Sequence, residues 1–196
     1  MTPGAATQQV LGGAGALEGL FVWLPVAATT AVLMELWASL LHGRVWHGPL
    51  WAVHRSHHRR STGGLEANDA LSILHVPIAI ALIVYGSLAG PGLAGDLPFG
   101  VGVGMTLFGV SYFVVHDGLI HGRLPVGALG RLSYFARVKR AHEEHHRLGR
   151  GPYGLFFGPW ALARARARRA RGQGGGSSPD SRAAASLVRV GQGLGR

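Results

Sequence analysis

The chain has 196 residues, of which 47% are apolar and only 14% charged, well short of the roughly 25% charge of ordinary soluble domains. Its apolar residues are gathered into blocks, so a single-domain integral membrane protein is expected. The formal charge of +10 does not indicate a nucleic-acid partner, because the basic residues form no patch interleaved with stacking aromatics; the absence of cysteine excludes disulfides, thiolate ligands and thiol catalysis.

Residues 1–17 are rich in Gly and Ala and lack Lys and Arg, which suits a flexible lead and not a signal peptide. A first span is expected from Leu20 to Leu41, long enough at about 1.5 Å per residue to cross a hydrocarbon layer of ~30 Å. Pro25 is placed to kink it. Glu35 is a carboxyl inside this span, costly in lipid, and should turn toward protein or water. The second span is expected at Leu71–Leu88, ending in the breaker run Ala89-Gly90-Pro91-Gly92. The third, Leu97–Val115, carries Gly100, Gly102, Gly104 and Gly109, small residues that let helix backbones approach closely in a membrane. A fourth segment, around 124–135 or 155–162, is a candidate to dip into the interface.

Orientation follows from the basic residues. Arg44, Arg55, Arg59 and Arg60 follow the first span, and Arg123, Arg131, Arg137, Lys139, Arg140 and Arg147 follow the third. The loop between the second and third spans holds Asp96 and no basic residue. The N-terminus and residues 89–96 are therefore expected outside the cell's inner membrane, with the later polar segments on the cytoplasmic side. Residues 18–160 would form the membrane domain. Beyond them, Ala161–Arg171 alternates Ala and Arg, and Gly172–Ser178 has the composition of a flexible linker. Residues 161–196 are thus expected as a basic, headgroup-attracted or disordered tail.

Ten of the eleven histidines form two copies of one pattern. The first is His42-x4-His47, then Gly48-Pro49, then His54-x-x-His57-His58. The second is His116-x4-His121, then Gly122 and Pro125, then His142-x-x-His145-His146. Neutral imidazole is the commonest metal ligand. On an α-helix the three histidines of H-x-x-H-H share one face, whereas H-x4-H turns through about 140°. The latter pair can serve one site only by spanning a helix end or gripping from the side. Ten ligands are too many for one zinc ion. The Glu-x-x-His pattern of soluble di-iron bundles is absent, and a two-His, one-carboxylate iron site would leave most of the histidines unused. Two iron ions held by nitrogen fit best, a centre suited to activating O2 against an unactivated C–H bond. A non-enzymatic metal-binding membrane protein is the alternative. Glu66, Asp69, Asp117 and Glu143 are placed to accept the outer N–H of ligating imidazoles. Asn68 is a candidate ligand or water holder. Glu35 lies two turns before His42 on the same face and is expected to point toward the metals or line a substrate channel. His75, outside both copies, reads as an isolated surface or capped residue.

From Met34 to Trp160 the chain resembles the bacterial β-carotene hydroxylases of the fatty acid hydroxylase/sterol desaturase superfamily. The resemblance is carried by Glu35, His42 to Gly48, Trp51 with His54-x-x-His57-His58, Glu66-Ala-Asn68-Asp69, His116-Asp-Gly-Leu-Ile-His121-Gly-Arg, Ala141-His142-x-x-His145-His146 and Gly154-Leu-Phe-Phe-Gly-Pro159. It implies an all-α, polytopic membrane enzyme of three or four spans with a cytoplasmic-side di-iron site, its ten clustered histidines the iron ligands. The implied reaction uses O2 to hydroxylate C3 of the β-ionone rings, taking β-carotene through cryptoxanthin to zeaxanthin. It also implies a carotenoid substrate within the bilayer and an external donor of the ferredoxin type. A fatty acyl or sterol hydroxylase or desaturase of the same superfamily is the alternative. Gly43-Arg44 and Trp46 depart from the family's usual Lys-aromatic and Met inside the first H-x4-H.

Overall fold

The computed structural model describes residues 3–59 and 66–174, with side chains for 18–59 and 66–172; Arg60 and residues 175–196 lie outside. The described residues are helical and turn structure without a strand. Three long apolar helical stretches, Glu18–Trp46, Asp69–Ala89 and Leu93–Ile120, meet the length and hydropathy needed to cross a membrane. Only 11–33% of their most apolar windows are buried inside the protein. Large apolar side chains such as Phe21, Leu88 and Val110 face outward, as expected where the solvent is lipid. Residues 124–135 form turns, a 3-10 turn at Gly127–Arg131 and the start of a polar helix, so they add no fourth span.

Helix α1 runs Pro3–Leu41, with Pro25 inside it, so the backbone of residues 3–17 is helical where a flexible lead was expected. At its C-terminal end five π-helical residues, His42–Trp46, continue it. Two short helices follow, α2 at Trp51–His54 and α3 at Asp69–Ser72. The second span is not one continuous helix: α3 stops, Ile73–His75 turn, and α4 restarts at Val76 and ends at Ala89. Pro77 suits the restart, since in a first helical turn its missing N–H costs no intrahelical hydrogen bond. Gly90 and Gly92 then take positive φ values of 75° and 114°, a conformation that favours glycine, and reverse the chain into α5, Leu93–Tyr112.

Helix α5 packs between α1 and α4, and its glycines decide how closely. A Cβ on Gly100 would lie 2.7 Å from the Trp23 carbonyl oxygen of α1, and one on Gly104 would strike Ala27 of the same helix. On the other side, a Cβ on Gly102 would lie 2.8 Å from the Ala79 carbonyl of α4. Backbones this close gain dispersion contacts that larger residues would forbid. Gly109 differs, with nothing within 4 Å of its would-be Cβ.

Past α5, eight π-helical residues, Phe113–Ile120, lead to α6, Ser133–Leu148. Helix α6 buries Val138, Ala141, His142 and His145, the i, i+3, i+4, i+7 stripe of an amphipathic helix. Val138 joins Val115, Leu119 and Leu155 in a small core beneath the spans. The chain divides into two compact units at Pro159–Trp160. Helix α7, Gly158–Gly174, is helical where residues 161–174 were expected as tail. Ala and Arg are both strong helix formers, while their period-two alternation buries no face, and Arg164–Arg171 is exposed throughout.

Candidate metal centre

The structure brings all ten clustered histidines together at one end of the spans. His42, His47, His54, His58 and His145 each offer a nitrogen within 4.8 Å of the others, and so do His57, His116, His121 and His142. His146 sits at the junction. Its Nε2 is 3.1 Å from Nε2 of His57 and 2.9 Å from Nε2 of His142, and its ring stacks on His58 at 4.5 Å.

The π-helical segments explain how H-x4-H works here. An α-helix would turn the second histidine well away, but a π-turn closes its hydrogen bond from i to i+5. The N–H of His47 donates to the His42 carbonyl at 3.0 Å, and that of His121 to the His116 carbonyl at 3.0 Å. Each pair therefore lies about one widened turn apart, with ring centroids separated by 5.1 Å and 4.8 Å. Each pair spans the end of its helix, as the sequence suggested, with His47 and His121 the residues that cap the two π-helical segments.

The outer nitrogens are held by acceptors. His42 Nδ1–H donates to the Tyr153 carbonyl at 2.9 Å, His54 Nδ1–H to Asn68 Oδ1 at 2.7 Å, and His145 Nδ1–H to the Arg150 carbonyl at 3.1 Å. His116 Nδ1–H donates to Asp117 Oδ2 at 3.2 Å, and His57 Nδ1 faces Glu66 Oε2 at 3.6 Å. Since a neutral imidazole has one N–H, a proton committed at Nδ1 leaves Nε2 as a bare lone pair. Yet Nε2 of His42 lies 3.0 Å from Nε2 of His54. Two lone pairs at that distance repel unless a cation lies between them. Nε2 of His145 approaches Nε2 of His47 at 3.2 Å, and Nε2 of His116 approaches Nε2 of His57 at 3.0 Å. Neighbouring ligands at ~2.1 Å from a metal lie roughly 3.0 Å apart in an octahedron and roughly 3.4 Å apart in a tetrahedron. The spacing suits the octahedron. Nε2 of His58 and of His121, one in each group, are buried without a hydrogen-bond partner. The donor set therefore fits a pair of metal ions of high coordination number.

Burial is the main reason these imidazoles stay neutral. It holds His54 and His58 down to about 4, His121 and His145 to about 3, and His146 to about 2. It pushes His57 and His142 still further below the usual imidazole range. Mutual repulsion among the rings acts in the same direction.

The other candidate residues divide. Asn68, Asp117 and Glu66 stand behind histidines as just described. Asp69 touches no histidine; it accepts the Glu66 N–H at 2.8 Å and an Arg123 N–H at 2.8 Å. Glu143 faces solvent beside Lys139. Glu35 is held by the closing segment and is not among the residues that line the apolar cavity between α1, α4 and α5. Its Oε1 accepts the Phe157 N–H at 2.9 Å, and a Cβ on Gly154 would lie 2.7 Å from it. It does share a face with His42, but that face carries the closing segment 153–157. His75 accepts the Trp37 Nε1–H at 3.0 Å.

Three contributors escaped the sequence reading. The Tyr153 ring lies 5.1–5.6 Å from the rings of His42, His47 and His145, and a Cβ on Gly43 would come within 2.6 Å of it. Gly43 between two ligands was the available signal. Arg150 contributes only a carbonyl, supplied because Gly149, with φ of 63°, ends α6 and turns the chain back. Arg123 joins three carboxylates.

An apolar cavity of about 430 Å³ lies above the histidines between α1, α4 and α5, walled by residues including Met34, Trp37, Leu41, Ile80, Met105 and Gly109. Trp46, Tyr112 and Asp117 also line it. The Trp46 ring is 5.5 Å from His42 and 5.7 Å from His54, and Tyr112 stacks on His116 at 4.7 Å. The cavity floor thus touches members of both groups.

Comparison with known proteins agrees with this geometry. The fatty acid hydroxylase family model matches residues 27–162. The chain is 35% identical over 134 residues to the beta-carotene hydroxylase of Paracoccus sp. (strain PC1), covering 68% of this chain and 80% of that one. It is 44% identical over 156 residues to the chloroplastic beta-carotene 3-hydroxylase of Gentiana lutea and 43% identical over 156 residues to the chloroplastic beta-carotene hydroxylase 1 of Capsicum annuum. Each of these two alignments covers 79% of this chain, which spans about half the length of the plant relatives, 48% and 49%. No solved structure matches the chain. The chain belongs to the fatty acid hydroxylase family, among the relatives of the beta-carotene hydroxylases.

Proposed function

We infer that this protein is a membrane monooxygenase that hydroxylates C3 of the β-ionone rings of carotenoids, converting β-carotene through cryptoxanthin to zeaxanthin. The observation that carries the reading is the convergence of bare imidazole nitrogens in two groups beneath an apolar cavity within the spans. Two iron ions held by His42, His47, His54, His57, His58, His116, His121, His142, His145 and His146 would supply O2 activation. One oxygen atom enters the C–H bond and the other leaves as water, so two electrons and two protons must come from an external donor, taken here as ferredoxin-like. The protein's own part is placement. Met34, Leu41, Ile80 and Met105 offer an apolar ring a dry seat. Trp46 and Tyr112 set how closely it approaches the histidines, and Asp117 and Asn68 fix the imidazoles beside it. A cavity of this size suits one end of a long carotenoid, with the remainder in the bilayer. The basic residues at the histidine end, with Asp96 at the other, support a site on the cytoplasmic side of the inner membrane. Residues 18–160 constitute the catalytic domain of this reading.

The test is expression in a β-carotene-accumulating bacterium, with product chromatography. Zeaxanthin and cryptoxanthin are expected. Unchanged β-carotene beside an active control enzyme would overturn the carotenoid assignment, and a hydroxylated or desaturated acyl or sterol product in the same cells would replace it.

A further inference from the structure

The acceptors behind the two histidine groups carry different charge. Behind the group of His42, His47, His54, His58 and His145 the observed acceptors are all neutral: the Tyr153 and Arg150 carbonyls and the Asn68 amide. Behind the group of His57, His116, His121 and His142 they are carboxylates, Glu66 and Asp117. Arg123 ties that side together. Its Nη1 donates to Asp69 Oδ1 at 2.8 Å and Asp117 Oδ1 at 3.0 Å, and its Nη2 reaches Glu66 Oε1 at 3.1 Å. Three carboxylates around one guanidinium leave negative charge in excess. Part of it is aimed at the histidines, since Glu66 Oε2, the oxygen facing His57, is buried without a hydrogen-bond partner.

We propose that the two metal positions are unequal, the carboxylate-backed group binding its ion more tightly, and that Arg123 is the positioning residue that maintains the inequality. The inference rests on the reading that each group holds one metal ion. A carboxylate behind an imidazole N–H draws the ring toward imidazolate and raises its donor strength, whereas a neutral carbonyl does so less. A planar guanidinium can hold several carboxylates in fixed directions through its forked donors, which a lysine ammonium cannot. Without Arg123 the three carboxylates would repel one another, and Asp117 and Glu66 would turn from His116 and His57.

The experiment titrates Co2+ into metal-free, full-length protein in detergent, following visible absorption and bound metal per chain, with circular dichroism to confirm helix content. The wild type is expected to fill in two steps of different affinity. Asp117→Asn should weaken the tighter step by about 10- to 100-fold, the usual cost of an outer-partner change, while leaving the weaker step in place. Asn68→Asp, which puts a carboxylate behind His54, should strengthen the weaker step and narrow the gap. Arg123→Gln should match Asp117→Asn, and Arg123→Lys should recover part of the loss. Two ions of equal affinity in the wild type would overturn the inference while leaving the two-metal reading standing. So would Asp117→Asn weakening both steps alike with helix content intact. Fewer than two ions per wild-type chain would overturn both.

Discussion

In the first copy of the histidine pattern, the chain leaves α1 through five π-helical residues and completes H-x-x-H-H within the single turn of α2 and the bend after it. In the second copy, eight π-helical residues and a 3-10 turn intervene before the triplet, which then rides on the sixteen-residue α6. Equal spacing within the H-x4-H and H-x-x-H-H motifs is thus met by unequal local structure between them. Nor do the copies correspond to the two groups of nitrogens. His57 of the first copy joins three histidines of the second, and His145 of the second joins four of the first. In both cases the exchanged residue is the middle histidine of the triplet. Each group therefore draws on both copies, and neither copy completes a group alone.

The largest expected effect comes from undoing that exchange. His57→Ala and His145→Ala each remove the ligand that one copy lends to the other, so turnover should fall by more than about 100-fold, given the part a positioned metal plays in such chemistry. Metal analysis should show the ions reduced below two per chain. Near-normal product formation by His145→Ala would break the comparison, because the copies would then be separable.

Much of this was legible before any coordinates. The spans could be placed because lipid demands long apolar runs, and Gly100, Gly102 and Gly104 announced close helix contact. The ten histidines were visible as a set because metal ligation needs particular residue types at repeated spacing. The π-turns were not legible. Their i to i+5 closure has no residue signature, so the sequence showed that each H-x4-H pair ends a helix but not how the last turn widens to bring its rings together. For Glu35 the shared helix face stated a direction and not what lies there; segment 153–157 returns from more than a hundred residues away to contact it. Arg123 looked like one of several basic residues marking the cytoplasmic side, since its partners lie in two other segments of the chain.

A second contrast concerns the residue after the first histidine of each copy, Gly43 in one and Asp117 in the other. Gly43 is small because the Tyr153 ring occupies its Cβ position. Gly43→Ala should displace that ring and with it the carbonyl that orients His42. Metal affinity should drop by about tenfold, toward the lower end for outer partners, with the loss confined to the group that contains His42. Competition titration of the metal would show this; a loss from the other group would mean that Tyr153 does not act through His42.

Acid should also separate histidines within the cluster. In metal-free protein, His54 and His58 of the first copy lie at about 4, while His121, His145 and His146 of the second lie at about 2 to 3. All are below the unfolded value of roughly 6.5, so the unfolded chain takes up protons first as pH falls. Their contribution to stability is complete above about pH 6.5 and declines as pH falls toward the folded values. Thermal unfolding in detergent should therefore shift downward between about pH 6.5 and 4. Resonances of His54 and His58 should move before those of His121, His145 and His146, and simultaneous movement would show that these five protonate as one unit.

The smallest effect is expected at His75, which belongs to neither copy. Its ring accepts the Trp37 N–H on the cavity wall and makes no recorded approach to the ten clustered histidines. His75→Ala removes one net hydrogen bond in an exposed setting, a change of about 0.5–1.5 kcal/mol at most, and leaves every clustered nitrogen where it was. Metal content should stay at the wild-type level, with turnover within about twofold, because only the cavity wall is altered and by one small polar contact. The two measurements carry different information. A change in turnover alone would assign Trp37 and His75 to substrate placement and leave the comparison intact. A fall in metal content would bring an eleventh histidine into the centre, and a centre built from the ten histidines of the two copies alone would no longer describe the molecule.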